Sequence, residues 1–170
     1  MTLAIVVLGY NRLHALDRVL SSLKNASYPK EIKNIPLIIS IDKSKTEGII
    51  ELAENFIWDF GEKEIIQHPK NLGMREHSLF CGDLTEKYSN IVFLEDDSYV
   101  SPAFYSYCSQ AINFYEDNHN ISAISLYNFQ YNEFTGMNYT AISDNYDNYF
   151  VQAATTWGIV WTKKKWDSFK

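Results

Sequence analysis

The sequence predicts an α/β domain: a mostly parallel central sheet flanked by helices, with one late strand running antiparallel. Three observations carry this prediction. Residues 3–8 (LAIVVL), 37–41 (LIISI) and 91–94 (IVFL) are continuous apolar runs, rich in β-branched residues, of the kind found in strands covered on both faces. The segments between them repeat apolar residues three and four apart, the period of an amphipathic helix. Strands alternating with helices require crossover connections, and these give parallel pairing.

Each element follows in order. After the first strand, Gly9-Tyr10-Asn11-Arg12 breaks the run, and Leu13, Leu16, Leu20 and Leu23, with Val19, stripe the first helix. Pro29 and Pro36 bracket a loop, and Asp42 ends the second strand. Ile49, Ile50, Leu52, Ala53, Phe56 and Ile57 supply one helix face, and a short strand is expected over 64–67. The turn HPKNLG (68–73) leads into a third helix on which Met74, His77, Cys81, Leu84 and Tyr88 share one side. Ser101 is expected to cap the helix after the 91–94 strand, with Pro102 at its first position and Phe104, Cys108, Ala111, Ile112 and Tyr115 as its stripe. Residues 121–126 read as a strand and 150–161 as the last, antiparallel one; Trp166 and Phe169 open a final helix. Residues 128–149, rich in Asn, Tyr and Asp, show no period and read as a long functional loop.

Composition narrows the function classes. At 170 residues the chain fits one domain, 1–170. A net charge of -6 gives no basic patch, so no nucleic-acid partner is expected. Cys81 and Cys108 are the only cysteines and lack metal-ligand spacing, so two buried free thiols are expected. No run approaches the ~20 apolar residues of a transmembrane segment, and the run at 3–8 is too short for a signal peptide, so a cytoplasmic location is expected. Asn25, Asn120 and Asn138 begin glycosylation triplets that such a location leaves unused. Aromatic residues make up 15%, with twelve tyrosines, enough to place some at the surface, as in grooves that bind sugars or partners.

In an open α/β sheet, ligands bind outside the carboxyl ends of the strands. The groups expected there are Gly9, Tyr10, Asn11 and Arg12 from the first strand, Asp42 from the second, His68, Asn71 and Gly73 after the third, and Glu95-Asp96-Asp97 from the fourth. Three successive carboxylates repel one another unless a cation or hydrogen-bond donors stabilise them. Strand alternation would place Glu95 and Asp97 on one side and Asp96 on the other. One can then ligate a hard divalent cation, Mn2+ or Mg2+, with phosphates and water completing its shell, while another accepts a sugar hydroxyl. The chain has neither a GxxxxGK[ST] loop nor a GxGxxG fingerprint. Diphosphate charge would have to be met by the metal and by Arg12, Lys70 and Arg75.

These motifs resemble the GT-A glycosyltransferases, and among them the family-2-like enzymes and N-acetylglucosaminyltransferase I. The resemblance rests on LAIVVLGYNR, Asp42, HPKNLG followed by REH, FLEDDSYVSPAFYSY, and QAATTWGIVWTKKKWDSF. It implies a Rossmann-like GT-A fold and transfer of a sugar, with inversion, from a nucleotide-sugar donor (a UDP-sugar) to a glycan or lipid-linked glycan acceptor, as in polysaccharide biosynthesis at the inner membrane. It further implies Arg12 near the diphosphate, Asp42 on the uracil edge and His77 against the nucleotide. Asp96 would contact the ribose or sugar, and Asp97 would be the metal ligand of a DXD-type motif. Glu95 would support catalysis through the donor sugar, while Trp157 and Gly158 would shape the donor and acceptor pocket.

Inverting members also need a general base beyond the strand that contains Trp157. Asp167 is the late carboxylate there, with Asp144 and Asp147 as further candidates. The expectation is therefore a nucleotide-sugar-binding domain lacking part of its C-terminal acceptor region. Alternative readings are a nucleotide-sugar-binding module without turnover and a sugar nucleotidyltransferase, although GYNRLHALDR lacks the latter's Gly-rich basic loop.

Overall fold

The computed structural model describes residues 3–132, 134–153 and 155–170. Among them lie strands β1 (Ala4–Gly9), β2 (Leu37–Ile41), β3 (Lys63–Gln67), β4 (Asn90–Glu95), β5 (Ile124–Ser125) and β6 (Ile159–Thr162). The helices are α1 (Leu13–Lys24), α2 (Ile49–Asn55), α3 (Gly73–Asp83), α4 (Thr85–Tyr88), α5 (Phe104–Tyr115) and α6 (Lys163–Phe169). The strands form one sheet in the order β3-β2-β1-β4-β6-β5. β1 to β4 are parallel, and β6 runs antiparallel to both β4 and β5.

Every residue of β1, β2 and β4 is buried, because both faces of the sheet are covered. On one face Val7, Ile39 and Leu94 pack with Leu16 and Leu20 of α1 and with Phe104, Cys108 and Ile112 of α5. On the other, Val6, Ile38 and Phe93 pack with Cys81 of α3 and Trp166 of α6. Both cysteines are free and buried, and burial pushes each thiol up to about 12. No helix among the described residues is long and apolar enough to cross a membrane.

Several expected boundaries move, each for a local reason. The helix expected to run from Met74 to Tyr88 breaks at Leu84: the Thr85 hydroxyl donates to the Gly82 carbonyl at 2.9 Å, and α4 ends at Ser89 with φ of 64°. α2 stops at Asn55, where the Lys63 ammonium reaches over from β3 to bond the carbonyls of Ala53, Glu54 and Phe56. Ser101 does not cap α5 through its side chain; its backbone carbonyl accepts from Phe104 N–H at 3.2 Å, and Pro102 stays in the preceding turn. The strand expected over 121–126 narrows to Ile124–Ser125. The one expected over 150–161 begins only at Ile159, because Gly158 turns the chain at φ of 83°; Ala154 lies outside the described residues. α6 follows β6 directly, with Trp166 buried under the sheet and its indole N–H on Asp83 at 2.9 Å.

Gly82 faces that indole so closely that an added Cβ would stand 2.1 Å from a ring carbon. Gly82→Ala is therefore expected to displace Trp166 and destabilise the fold by about 1–3 kcal/mol, read as a lower urea midpoint with unchanged slope.

Candidate functional site

From β1 the chain winds one way to β2 and β3, then returns across the sheet to lay β4 on the other side of β1. β1 and β4 therefore flank the topological switch point, where the crevice at the carboxyl ends of the strands opens. Arg12 leaves the end of β1 and Asp96 and Asp97 leave the end of β4. The sheet register, Leu8 opposite Glu95, sets them face to face.

The Arg12 guanidinium forks across both carboxylates, pairing with Asp96 Oδ1 and donating to Asp97 Oδ2 at 2.8 Å. Arg18, on the exposed side of α1, donates to the Asp97 backbone carbonyl at 2.9 Å. Strand alternation does not govern this run beyond Glu95. The Ser98 N–H bonds the Glu95 carbonyl at 3.0 Å and turns the chain, so Asp96 and Asp97 both swing to Arg12. Glu95 is still in the ladder and buried. Burial pushes the Asp96 carboxyl above the usual range against the opposing pull of Arg12. Tyr10 and Asn11 are exposed at the lip of the crevice, and the Asn11 carbonyl accepts from the Thr46 hydroxyl.

Asp42 organises the neighbouring loop. Its carboxylate accepts the N–H groups of Lys43 and Leu72, each at 2.8 Å, and of Gly73 at 3.0 Å. Gly73 sits at φ of 76°, a conformation that favours glycine, and opens α3 above that carboxylate. Burial raises the Asp42 carboxyl, but the three backbone donors and the nearby His77 outweigh it and leave it below the usual range. Asn71 donates its side-chain amide to the Lys43 carbonyl at 3.1 Å and fixes the loop from the other side. Beneath lies a polar core: Ser40 Oγ is 2.8 Å from His77 Nε2 and 3.0 Å from His68 Nε2. His77 is only 1% exposed, so it lies under the crevice rather than on its surface. Burial and the His68 ring hold it down to about 4.

Across the crevice, Gly158 abuts Leu94 and Leu126, and Trp157 stands 46% exposed at the open end of β6. Two expected site residues lie elsewhere. Asp167 is on α6, which follows the Thr162 end of β6, and Thr162 pairs with Asn90 at the opposite end of β4 from Asp96. It is engaged by Lys163 at 2.6 Å, so the sheet separates it from the crevice and it is not placed as a base. Arg75 is on the outer side of α3, paired with its neighbour Glu76 and largely exposed. Of the other late carboxylates, Asp147 lines the groove that opens beside Asp97, whereas Asp144 bonds the N–H of Tyr146.

The family described as glycosyl transferase family 2 matches residues 4–167. The chain belongs to that family. No curated protein matches the family member's sequence significantly. A mannosyltransferase from Pyrobaculum calidifontis, PcManGT, solved with GDP-Man and Mn2+, superimposes with a TM-score of 0.58 at 13% identity, over 72% of this chain and 34% of that one. TarS 1-349 of S. aureus in complex with UDP gives 0.58 at 17% identity, over 74% and 35%. Its complex with UDP-GlcNAc gives 0.55 at 18%, over 74% and 34%. These likenesses establish the GT-A fold, and this chain spans about a third of the length of those proteins.

The family member's crevice fits a divalent ion shared with a ligand rather than one caged by protein. Among the described residues no three His, Cys, Asp or Glu side chains converge as a metal cluster. Asp97 is 38% exposed and has one carboxylate oxygen, Oδ1, outside the Arg12 fork. The next side chain, Ser98 Oγ, is buried without a hydrogen-bond partner. One carboxylate completed by phosphates and water is an ordinary arrangement for Mg2+. The sequence reading missed Arg18 and Ser40. Arg18 stands off the leucine stripe, a position that reads as solvated surface, and Ser40 sits inside an apolar run.

Because the folded state holds His77 near 4 and an unfolded His titrates near 6.5, protons bind the unfolded chain more readily between those values. Stability from His77 is therefore present above about pH 6.5 and lost progressively towards pH 4, by on the order of 3 kcal/mol. Urea unfolding at stepped pH should show this slope, and His77→Gln should flatten it.

Proposed function

We propose that this domain binds a nucleoside-diphosphate sugar, UDP-linked, in the β1–β4 crevice and transfers the sugar with inversion to an acceptor hydroxyl, with Mn2+ or Mg2+. The observation that carries the reading is the pairing of Arg12 with Asp96 and Asp97 across the switch point. It brings the cation a diphosphate needs and the carboxylates a metal and a ribose need to one place. Both solved relatives named above carry a nucleotide or nucleotide sugar, one of them with Mn2+.

Without ligand, Arg12 serves as the counter-ion of the acidic pair. With the donor in place, the guanidinium turns to the diphosphate, and Asp96 is freed for a ribose or sugar hydroxyl. Asp97 would hold the metal, which when bound stabilises negative charge on the departing diphosphate. Asp42 spends three of a carboxylate's roughly four acceptor positions on backbone donors, so one is left for the edge of a base. His77 acts through Ser40 and Asp42 rather than by touching the nucleotide. Glu95, on the other face of the ladder, supports β4, and Trp157 and Gly158 wall the sugar. We assign the acceptor proton to Asp147, the one carboxylate besides Asp97 among the described residues that line the adjoining groove.

Calorimetric titration tests the donor site. UDP is expected to bind with Mn2+ and at least about tenfold more weakly without it, and Asp97→Ala should abolish that difference. UDP binding indifferent to both metal and Asp97 would sink the proposal. Arg12→Ala should strengthen binding of Mn2+ alone, by releasing the carboxylates, while weakening UDP. For the base, Asp147→Asn is expected to slow UDP release from a UDP-sugar by roughly 10²–10⁴-fold with unchanged donor affinity. An unaltered rate would remove Asp147 from that role.

A further inference from the structure

Beyond the donor crevice, an open groove of about 2250 Å3 runs from Asp97 and Trp157 along the segment between α5 and β6. Its wall is a continuous string of rings. Trp157 lies 4.6 Å from Tyr127, Tyr127 lies 5.3 Å from Phe129, Phe129 lies 5.7 Å from Tyr139, and Tyr139 lies 5.5 Å from Tyr149. Hydrogen bonds set the string in place: the Tyr149 hydroxyl donates to Asn128 Oδ1 at 2.9 Å and accepts from the Phe129 N–H at 3.2 Å. The rest of the lining mixes aliphatic and hydroxyl side chains with amides, Asn118, Asn120, Gln130, Asn148 and Gln152 among them.

Charge is nearly absent. Among the described residues that line the groove only Arg18, Asp97 and Asp147 are charged, and the first two stand at the crevice end. The sequence carries this further: from Tyr88 to Thr162 it contains no Lys or Arg, although the whole chain has 15. Among the described lining residues a polymer bearing phosphate or carboxylate would meet one cation, Arg18, which stands at the crevice end and is engaged by the Asp97 carbonyl, and the acidic run at 95–97 would repel it. Ring faces suit the C–H faces of pyranoses, and amides suit hydroxyls as donor and acceptor together.

We propose that this groove binds the acceptor, and that the acceptor is an uncharged oligosaccharide, several sugars long, laid along the aromatic string with its terminal hydroxyl at Asp97. This rests on the glycosyl-transfer reading above for the direction of the chain. The string of rings and the absence of any described lining cation other than Arg18 support the ligand class independently.

The test is retention of the whole chain on an array of neutral, carboxylated and phosphorylated oligosaccharides and of acidic and basic peptides, at low and high salt. Retention is expected on neutral oligosaccharides alone, with little salt dependence. Trp157→Ala and Tyr149→Ala are each expected to weaken it by about tenfold. Both side chains lie outside the two core clusters, and an unchanged melting temperature would show that each variant folds. No retention on any member, retention confined to charged glycans or peptides, or neutral retention indifferent to both substitutions would overturn the proposal. Titration of the same preparations with UDP and Mn2+ separates the two readings. Lost donor binding with glycan retention intact overturns the donor site alone, and the reverse overturns the acceptor groove alone.

Discussion

The crevice is organised by one electrostatic constraint. Two adjacent carboxylates, Asp96 buried and Asp97 half-exposed, leave the end of a fully buried strand; they repel each other, and the buried one must be neutralised where little water reaches. Arg12 does this from the neighbouring strand, and a bidentate guanidinium suits two carboxylates side by side. Much of the surrounding architecture follows from keeping that contact in register. β1 and β4 must be adjacent and parallel, their ends must coincide, and α1 must begin directly after Arg12. Because Arg18 on α1 holds the Asp97 carbonyl, the helix and the acidic turn are fixed to each other twice. A pair balanced in this way is also poised: whatever brings its own positive charge to the carboxylates releases the arginine to an anion.

The two sides of the crevice are built differently. On the β1–β3 side, buried strands, the Asp42 carboxylate beneath the start of α3 and the Ser40–His68–His77 cluster form a stiff support in which nearly every polar group has a partner. On the other side, β5 has two residues, β6 has four, and the described part of the intervening segment is held by side-chain bonds, ring contacts, the bridge Tyr131–Asn138 and a few turn-type backbone bonds such as Asn132 N–H to the Met137 carbonyl. Diphosphate and base are common to many donors and suit a preformed rigid site. An acceptor is particular to each enzyme, and a wall of aromatic and amide side chains on an irregular backbone can vary without disturbing the sheet.

Much of this was legible in the sequence. Continuous apolar runs can be buried only between two layers, so LAIVVL, LIISI and IVFL specified parallel strands and their order in the chain. The polar residues closing those runs specified what would stand at the carboxyl end of the sheet, and Gly9, Arg12, Asp42, Asp96 and Asp97 are there. Local patterns failed where long-range contacts compete with them. Asp97 does not side with Glu95, because a turn and an arginine 85 residues away override strand alternation. His77 was rightly placed on the inner side of its helix, but depth decides whether such a ring meets ligand or core, and periodicity carries no depth.

The sequence by itself determined the layers, the strand ends and the chemical types gathered there, because hydrophobic periodicity and chain breaks are properties of neighbouring residues. Tertiary structure alone decided which ends are adjacent, that Arg12 bridges the acidic pair, and that Asp167 lies at the far end of the sheet while Asp147 lines the groove. Those facts depend on strand order and on the direction of β6. Both are set by how the whole chain packs its two faces, a global optimum that no short window of residues encodes.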